Sequence, residues 1–137
     1  MFDNPAPAAI KALLQRARTI AMVGLSPQPK RPSHGVARHL QQQGYRVVPV
    51  RPMVTEVLGE KAYANLLELP FTVDIVNVFR AAEHIPALVE ECLQIKCPAI
   101  WIQQGIIHEQ AADQAREAGL IVVMDRCIYL DYLELMS

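Results

Sequence analysis

The sequence predicts an α/β protein, a three-layer sandwich in which helices cover both faces of a five-stranded, mostly parallel sheet. Short apolar runs of strand length alternate with segments in which apolar residues recur at helical spacing. Glycine or proline stands at the ends of most of these runs. The 137 residues, 52% of them hydrophobic, suffice for one core and exclude a disordered chain. We therefore expect a single domain over residues 1–137.

The first third of the chain predicts helix, strand, helix and strand. Early prolines and apolar residues at helical spacing predict a leading helix over residues 5–18, within a leading segment 1–18. The β-branched run Thr19–Val23 predicts a buried strand, and Tyr45–Val50 predicts a second. Between them we expect a helix with Ser33 as its N-cap and Gly44 at its end.

The remaining chain predicts three more strands. Residues 53–72 read as a loop with one helical turn. The later elements are, in order, strand Val73–Phe79, helix Ala81–Ile95, strand Ala99–Ile102, helix Glu109–Ala118, strand Leu120–Met124 and a short helix Ile128–Leu135. With the five strands numbered along the chain, we expect the order 3-2-1-4-5, with a topological switch between strands 1 and 4.

The loop after the first strand has the composition of a phosphate site. Gly24 allows a sharp turn, and Lys30, Arg31, Ser33 and His34 stand close to the start of the following helix. Amides and the dipole at a helix N-terminus attract anions. The loop matches neither G-x-G-x-x-G nor a Walker loop, so the alternative is an ordinary connection with solvated charges.

The end of the second strand favours a phosphorylated ribose. In NAD-binding units an acidic residue at this point contacts the ribose hydroxyls, whereas an arginine suits a ribose phosphate. Here Arg51 and Pro52 follow the strand, and Glu56 is the nearest acid. NADP and coenzyme A both carry a ribose phosphate and remain the two alternatives.

Two further strand ends carry groups that suit a nucleotide. Phe79 and Arg80 offer base stacking and phosphate pairing, while Gln103, Gln104 and Gly105 offer neutral hydrogen bonds at a turn. Because ligands of open α/β sheets bind at the carboxyl ends of the strands, we expect these residues in one crevice with the first loop. The alternatives are that Phe79 fills the core, that Arg80 is solvated and that the glutamines are only a polar strand end.

Composition excludes several classes of function. The net charge of −1 gives no electrostatic case for a nucleic acid or membrane partner. No apolar run has the length of a membrane span and no signal peptide is recognisable, so we expect a cytoplasmic protein. The four histidines are scattered, and Cys92, Cys97 and Cys127 have no metal-site or disulfide spacing, so we expect no metal. Cys127 follows the fifth strand, at the edge of the sheet where the ligand is expected. Its thiol is either reactive or buried and inert.

Five motifs recur in order between Thr19 and Cys127: G-L-S-x-x-x-x-R-P-S, G-Y-R-V-x-P-V-x-P, D-I-V-x-V-F-R, W-x-Q-x-G and V-V-M-D-R-C. With them the chain closely resembles the small stand-alone CoA-binding proteins. These are related to the CoA-binding domain of the succinyl-CoA synthetase α subunit. The resemblance implies a Rossmann-like fold and coenzyme A as the ligand.

The resemblance also implies roles for single residues. The first loop would hold the CoA phosphates through Gly24, Leu25, Ser26 and Arg31. The adenosine end would be flanked by Val50, Arg51 and Pro52, and the crevice would be lined by Phe79, Arg80 and Gln104. Relatives usually carry Asn at the position of Arg51. In this chain Arg51 would instead reach the 3′-phosphate of CoA. The synthetases also need a phosphorylated histidine in a second domain and a partner subunit, for which 137 residues leave no room.

Two classes of function follow. The first is a non-catalytic module that binds CoA or an acyl-CoA as a carrier, sensor or regulatory subunit, with a protein partner not identified by the sequence. It is favoured because the chain shows no nucleophile elbow, no paired carboxylates in the crevice segments and no Cys-His pattern. The alternative is an enzyme, either an NADP-dependent reductase or a CoA-dependent thiol or acyl transferase using Cys127.

Overall fold

The computed structural model describes residues 2–136 of the chain. Its strands are β1 (Thr19–Val23), β2 (Arg46–Val50), β3 (Glu56–Val57), β4 (Glu60–Lys61), β5 (Ile75–Val78), β6 (Ala99–Ile102) and β7 (Ile121–Met124). Its α-helices are α1 (Pro7–Arg16), α2 (Pro32–Gln42), α3 (Ile85–Gln94), α4 (Glu109–Glu117) and α5 (Ile128–Leu135). Five parallel strands form one sheet in the order β2-β1-β5-β6-β7, and β3 and β4 form a separate antiparallel pair.

Two hydrophobic cores lie on the two faces of the five-stranded sheet. One contains the buried side chains of α3 and α4, and the other contains those of α1, α2 and α5. Successive strand residues alternate between the cores, as the pleat requires: Val76 and Val78 face one, and Ile75 faces the other. The predicted three-layer α/β class is confirmed. Within residues 2–136, no helix combines the length and the apolar character needed to cross a membrane.

The predicted position of the third strand is wrong. The run that contains β5 was expected at the sheet edge beside β2, but β5 pairs directly with β1, with Ala21 opposite Val76. Numbered as predicted, the order is therefore 2-1-3-4-5. All four residues of β5 are buried, which suits a central strand covered on both faces. The outer side of β2 is taken instead by Tyr63, which forms a one-residue parallel bridge with Val50. If Tyr63 is counted as the third strand, this half of the sheet keeps the Rossmann-like order 3-2-1-4.

Three local features differ from the sequence-based expectations. The N-cap of α2 is Arg31 rather than Ser33, because Pro32 takes the first helical position, where proline needs no hydrogen bond for its missing N–H. The segment 53–72 contains the β3–β4 hairpin as well as the expected turn, a 3-10 helix over Leu66–Glu68. A second 3-10 turn, Ala82–His84, precedes α3, which therefore starts four residues later than predicted, at Ile85 and not at Ala81.

A side chain near the N-terminus is hydrogen-bonded to the end of β7, and an ion pair links the turn after β7 to α5. The Asn4 amide donates to the carbonyl oxygen of Met124 at 2.9 Å and accepts from the Met124 N–H at 2.7 Å. After β7, Arg126 donates two hydrogen bonds to the buried carboxylate of Asp131, at 2.7 and 2.8 Å. These hydrogen bonds raise the pKa of Arg126 above its ordinary value. The Arg126–Asp131 pair ties the first turn of α5 to the end of β7.

Candidate functional site

The carboxyl ends of β1, β2 and β5 meet around Gly24. Its N–H donates to the carbonyl oxygen of Val50 at 2.9 Å. Its φ is +86°, and a Cβ placed there would lie 2.5 Å from the carbonyl oxygen of Phe79. Only glycine combines this backbone conformation with so close an approach. The topological switch point lies here, between β1 and β5, whereas the expected order placed it between β1 and β6.

The loop that follows Gly24 is held by its own serines. The Ser26 N–H donates to Ser33 Oγ at 3.0 Å, and the Gln28 N–H donates to Ser26 Oγ at 3.1 Å. Both serines are buried. The side chain of Arg31, the N-cap residue of α2, forms no capping hydrogen bond with the helix. The positive end of the helix dipole therefore faces the crevice, where an anion would be stabilised.

Three adjoining cavities form the crevice, and Phe79 lines all of them. The first cavity, of about 560 Å³, lies between the ends of β1, β2 and β5 and the side of α3. Its apolar walls are Val23, Val50, Leu66 and Leu88, and its polar side chains are Arg51, Asn65, Arg80, His84 and Glu91. It thus offers an apolar chamber with a few hydrogen-bonding groups.

The second cavity, of about 600 Å³, is formed by the serine-held loop and the start of α2. Ser26, Arg31 and Ser33 line it. It shares Gly24, Arg51, Pro52 and Phe79 with the first cavity. Because Arg51 also donates to the carbonyl oxygen of Gly24 at 3.3 Å, its guanidinium stands at the junction of the two cavities.

The third cavity, of about 480 Å³, lies toward β6 and the start of α5. Val36 and Ile106 give it apolar walls, and Gln103, Gln104 and Cys127 also line it. It shares Phe79, Arg80 and Ala81 with the first cavity. The three cavities therefore adjoin one another along the ends of the strands.

A buried amide network positions the far wall of the third cavity. Gln103 Oε1 accepts from Asn77 Nδ2 at 3.2 Å and from the Ile128 N–H at 3.3 Å. Asn77 Nδ2 also donates to the carbonyl oxygen of Trp101 at 3.1 Å. Both groups that Asn77 meets are acceptors, which fixes the orientation of its amide. Since Ile128 opens α5, the network sets the place of the adjacent Cys127.

Most residues predicted for the crevice do line the three cavities. They are Gly24, Ser26, Arg31, Ser33, Val50, Arg51, Pro52, Phe79, Arg80, Gln103 and Gln104. Three others do not. Leu25 is 1% exposed and belongs to the core, and the side chain of Lys30 is exposed outside the cavities. Gly105 donates its N–H to Asp125 Oδ1 at 2.7 Å, which closes a turn.

Sequence reasoning missed eight residues of the first cavity, among them Asn65, His84, Leu88 and Glu91. Asn65 caps the 3-10 turn that starts at Leu66, and His84 Nε2 accepts a hydrogen bond from the Arg80 guanidinium at 3.1 Å. Leu88 and Glu91 lie one turn apart on α3. The helical spacing of Leu88 and Glu91 was visible in the sequence. The sequence did not show which strand this face of α3 would cover.

Known proteins show the same sequence pattern and fold. The family described as CoA binding domain matches residues 18–132. The chain is 46% identical over 127 residues to YneT, an uncharacterized protein of Bacillus subtilis, and the match covers 93% of this chain and 94% of YneT. It also superposes on a solved hypothetical protein from Pyrococcus horikoshii OT3 with a TM-score of 0.92 and 32% identity, over the full length of both chains.

Part of a larger protein is similar as well. The chain is 29% identical over 123 residues to the acetate–CoA ligase (ADP-forming) I subunit alpha of Pyrococcus furiosus. This match covers 77% of the chain but 26% of that subunit. The resemblance drawn from the five sequence motifs is confirmed, both to small relatives and to a segment of larger CoA ligases. The chain belongs to the CoA-binding domain family.

Proposed function

We propose that the crevice binds coenzyme A or an acyl-CoA and that the protein acts as a carrier, sensor or regulatory module without a chemical step of its own. The observation that carries this proposal is the run of three adjoining cavities around Phe79. CoA has three chemically different parts, and each cavity suits one of them.

The second cavity suits the phosphates. The uncapped start of α2, the buried Ser26 and Ser33 and the guanidinium of Arg31 surround it. Charge-assisted hydrogen bonds from arginine and from helix amides are among the strongest contacts that a phosphate makes. Arg51, between the first and second cavities, is within reach of a phosphate on the ribose.

The first cavity suits the adenosine, since Val50, Leu66 and Leu88 supply apolar walls and Phe79 supplies an aromatic one. The third cavity suits the pantetheine arm, whose two amides match the side chains of Gln103 and Gln104. This order places the CoA sulfur on the side of the crevice where Cys127 lies.

The arrangement around Cys127 favours binding over catalysis. Among residues 2–136, no hydrogen bond joins its sulfur to a histidine or a carboxylate, the partners that activate a catalytic thiol. A module without turnover needs no general base, so we rank it above the transferase alternative.

Calorimetric titration of the purified protein with CoA, acetyl-CoA and NADP in parallel tests the proposal. We expect both CoA compounds to bind, and the Arg31→Ala variant to lose about 10- to 100-fold in affinity because a charge-assisted phosphate contact disappears. Lys30→Ala is the matched control, since Lys30 is the adjacent cation but lies outside the cavities. We expect it to bind CoA within about threefold of wild type, allowing for a screened surface charge. Binding of NADP without binding of CoA would overturn the proposal.

Alkylation of the three cysteines tests where the pantetheine arm lies. Burial raises the pKa of Cys97 to about 11 and raises that of Cys92 further, whereas Cys127 is partly exposed. At pH 8 we therefore expect iodoacetamide to modify Cys127 first, as peptide mass spectrometry would show. Saturating CoA should slow this reaction, while adenosine 3′,5′-bisphosphate, which lacks the arm, should not. Equal rates of Cys127 alkylation with and without CoA would contradict the placement of the pantetheine arm in the third cavity.

A further inference from the structure

Gln103 presents a hydrogen-bond donor to the third cavity. The residue is 6% exposed and lines that cavity. Its Oε1 is occupied, since it accepts from Asn77 Nδ2 at 3.2 Å and from the Ile128 N–H at 3.3 Å. Its Nε2 forms no hydrogen bond within residues 2–136 and, unlike the unpartnered Oδ1 of Asn77, is not shielded from solvent. The Nε2 donor therefore opens onto the cavity.

The direction of this donor is fixed by its neighbours. A rotated Gln103 amide would place Nε2 against Asn77 Nδ2 and the Ile128 N–H, so that only donors would meet. Asn77 has no reason to turn its own amide, because its Nδ2 also donates to the carbonyl oxygen of Trp101 at 3.1 Å. A ligand in the third cavity must therefore meet Gln103 with an acceptor.

The walls of the third cavity narrow the kind of acceptor. Val36 and Ile106 are apolar. Arg80, the one cation among the described residues that line this cavity, lies at its junction with the first cavity and is hydrogen-bonded to His84. A charged acceptor beside a neutral amide and apolar walls would lose more hydration than it regains. A neutral carbonyl oxygen fits this position.

We propose that Gln103 is a specificity residue whose Nε2 donates a hydrogen bond to a carbonyl oxygen of the ligand. This inference rests on the proposed function, because it requires the pantetheine arm of CoA in the third cavity. The ligand has such oxygens in two places, the amides of the arm and the thioester of an acyl-CoA. Both are neutral acceptors, and the experiment distinguishes them.

Gln103→Glu removes the donor and keeps the other hydrogen bonds of the network. One carboxylate oxygen can still accept from Asn77 and Ile128, while the other replaces Nε2 by an acceptor that repels a carbonyl oxygen. In calorimetric titrations at pH 8 we expect the variant to bind acetyl-CoA about 10- to 100-fold more weakly than the wild type. 3′-Phosphoadenosine 5′-diphosphate has every phosphate of CoA but no pantetheine arm, so the two proteins should bind it within about threefold of each other.

CoA and S-ethyl-CoA, which both lack the thioester carbonyl, separate the two sources of the acceptor. If an amide of the arm meets Gln103, the variant should bind CoA, acetyl-CoA and S-ethyl-CoA more weakly by the same factor. If the thioester meets Gln103, the wild type should prefer acetyl-CoA to S-ethyl-CoA by about tenfold or more, and the variant should lose this preference. Either result supports a carbonyl acceptor.

Gln114→Glu is the matched control. Gln114 is exposed on α4 and lines none of the three cavities, so the same charge is added away from the crevice. This variant should bind acetyl-CoA within about threefold of the wild type. Urea unfolding midpoints establish whether both variants are folded.

A measurement on the wild type decides the matter if Gln103→Glu is unfolded. In nitrogen-15-labelled protein, the side-chain N–H signals of Gln103 should shift when acetyl-CoA is added and stay in place when 3′-phosphoadenosine 5′-diphosphate is added. Signals that do not respond to acetyl-CoA would overturn the role of Gln103.

The outcomes separate the two proposals. A wild type that binds neither CoA nor acetyl-CoA overturns the proposed function. A folded Gln103→Glu variant that binds acetyl-CoA as tightly as the wild type overturns the role of Gln103 alone. The same holds if the variant weakens 3′-phosphoadenosine 5′-diphosphate as much as acetyl-CoA, since the added charge would then act on the phosphates and not on a carbonyl oxygen.

Discussion

Replacement of Gly24 by alanine is expected to destabilise the fold by about 2–5 kcal/mol and to weaken CoA binding at least tenfold. Two costs add: a left-handed backbone conformation costs an L-residue about 1–2 kcal/mol, and an overpacked contact costs about 1–3 kcal/mol. The new Cβ meets the carbonyl oxygen of Phe79, a backbone atom that cannot swing away. Any relief must separate β1 from β5 or displace Phe79, and Phe79 lines all three cavities. Urea unfolding and calorimetric titration with CoA measure the two effects.

Gly35→Ala is the internal control for this prediction. Gly35 lies inside α2, lacks a positive φ, and a Cβ there would meet no atom within 4 Å. The same change of residue should therefore stabilise the protein by about 0.5–1 kcal/mol, because alanine is the better helix former. If both variants shift the unfolding midpoint in the same direction, the close contact at Gly24 does not control the stability of the switch point.

Replacement of Asn77 by aspartate is expected to cost about 3–5 kcal/mol at neutral pH. Asn77 is 0% exposed, and its amide donates to the carbonyl oxygen of Trp101 and to Gln103 Oε1. Aspartate would replace two donated hydrogen bonds by a buried negative charge that faces two acceptors. Because Gln103 also holds the N–H of Ile128, the start of α5 should loosen as well. Chemical unfolding of this variant and of the wild type measures the loss.

The loss should depend on pH. Burial would raise the pKa of the new carboxyl above the value of about 3.9 expected in the unfolded chain. Between those two pKa values the folded state binds the extra proton, so the deficit relative to wild type grows as the pH rises and shrinks as it falls toward 4. Asn65→Asp makes the same change at an exposed turn cap and should shift stability by less than about 0.5 kcal/mol. A deficit that stays constant from pH 4 to pH 8 would contradict a buried charge as its cause.

Strands bounded by strong turn residues were predictable from the sequence to within a residue. The bounds of β1 and β6 match the apolar runs Thr19–Val23 and Ala99–Ile102, because Gly24 and Pro98 stand beside them. Pairing was not predictable in the same way. An apolar run shows that a strand is buried, but a central place beside β1 and an edge place beside β2 produce similar runs. The one-residue bridge at Tyr63 has no periodicity that could reveal it.

The residues of the candidate site also fall into a group that was predictable from the sequence and a group that was not. Arg51, Phe79 and Gln104 follow strands directly, and the carboxyl ends of parallel strands share one edge of the sheet whatever their order. They were therefore predictable as cavity-lining residues even though the order was wrong. Glu91 and His84 were not, because a helix residue reaches the cavity only through the way its helix crosses the sheet. Their contribution depends on tertiary packing, which a local pattern does not encode.

The attachment of Asn4 to Met124 and the bridge at Tyr63 have a consequence for assembly. An open sheet has two edges whose free N–H and C=O groups can recruit strands from other molecules and start fibres. At the β2 edge, Tyr63 donates its N–H to the carbonyl oxygen of Pro49 at 3.0 Å, and Pro49 itself has no N–H to offer. At the β7 edge, the amide of Asn4 imitates a neighbouring strand. A single residue occupies part of each edge, so we expect both edges to resist strand pairing between copies of the chain.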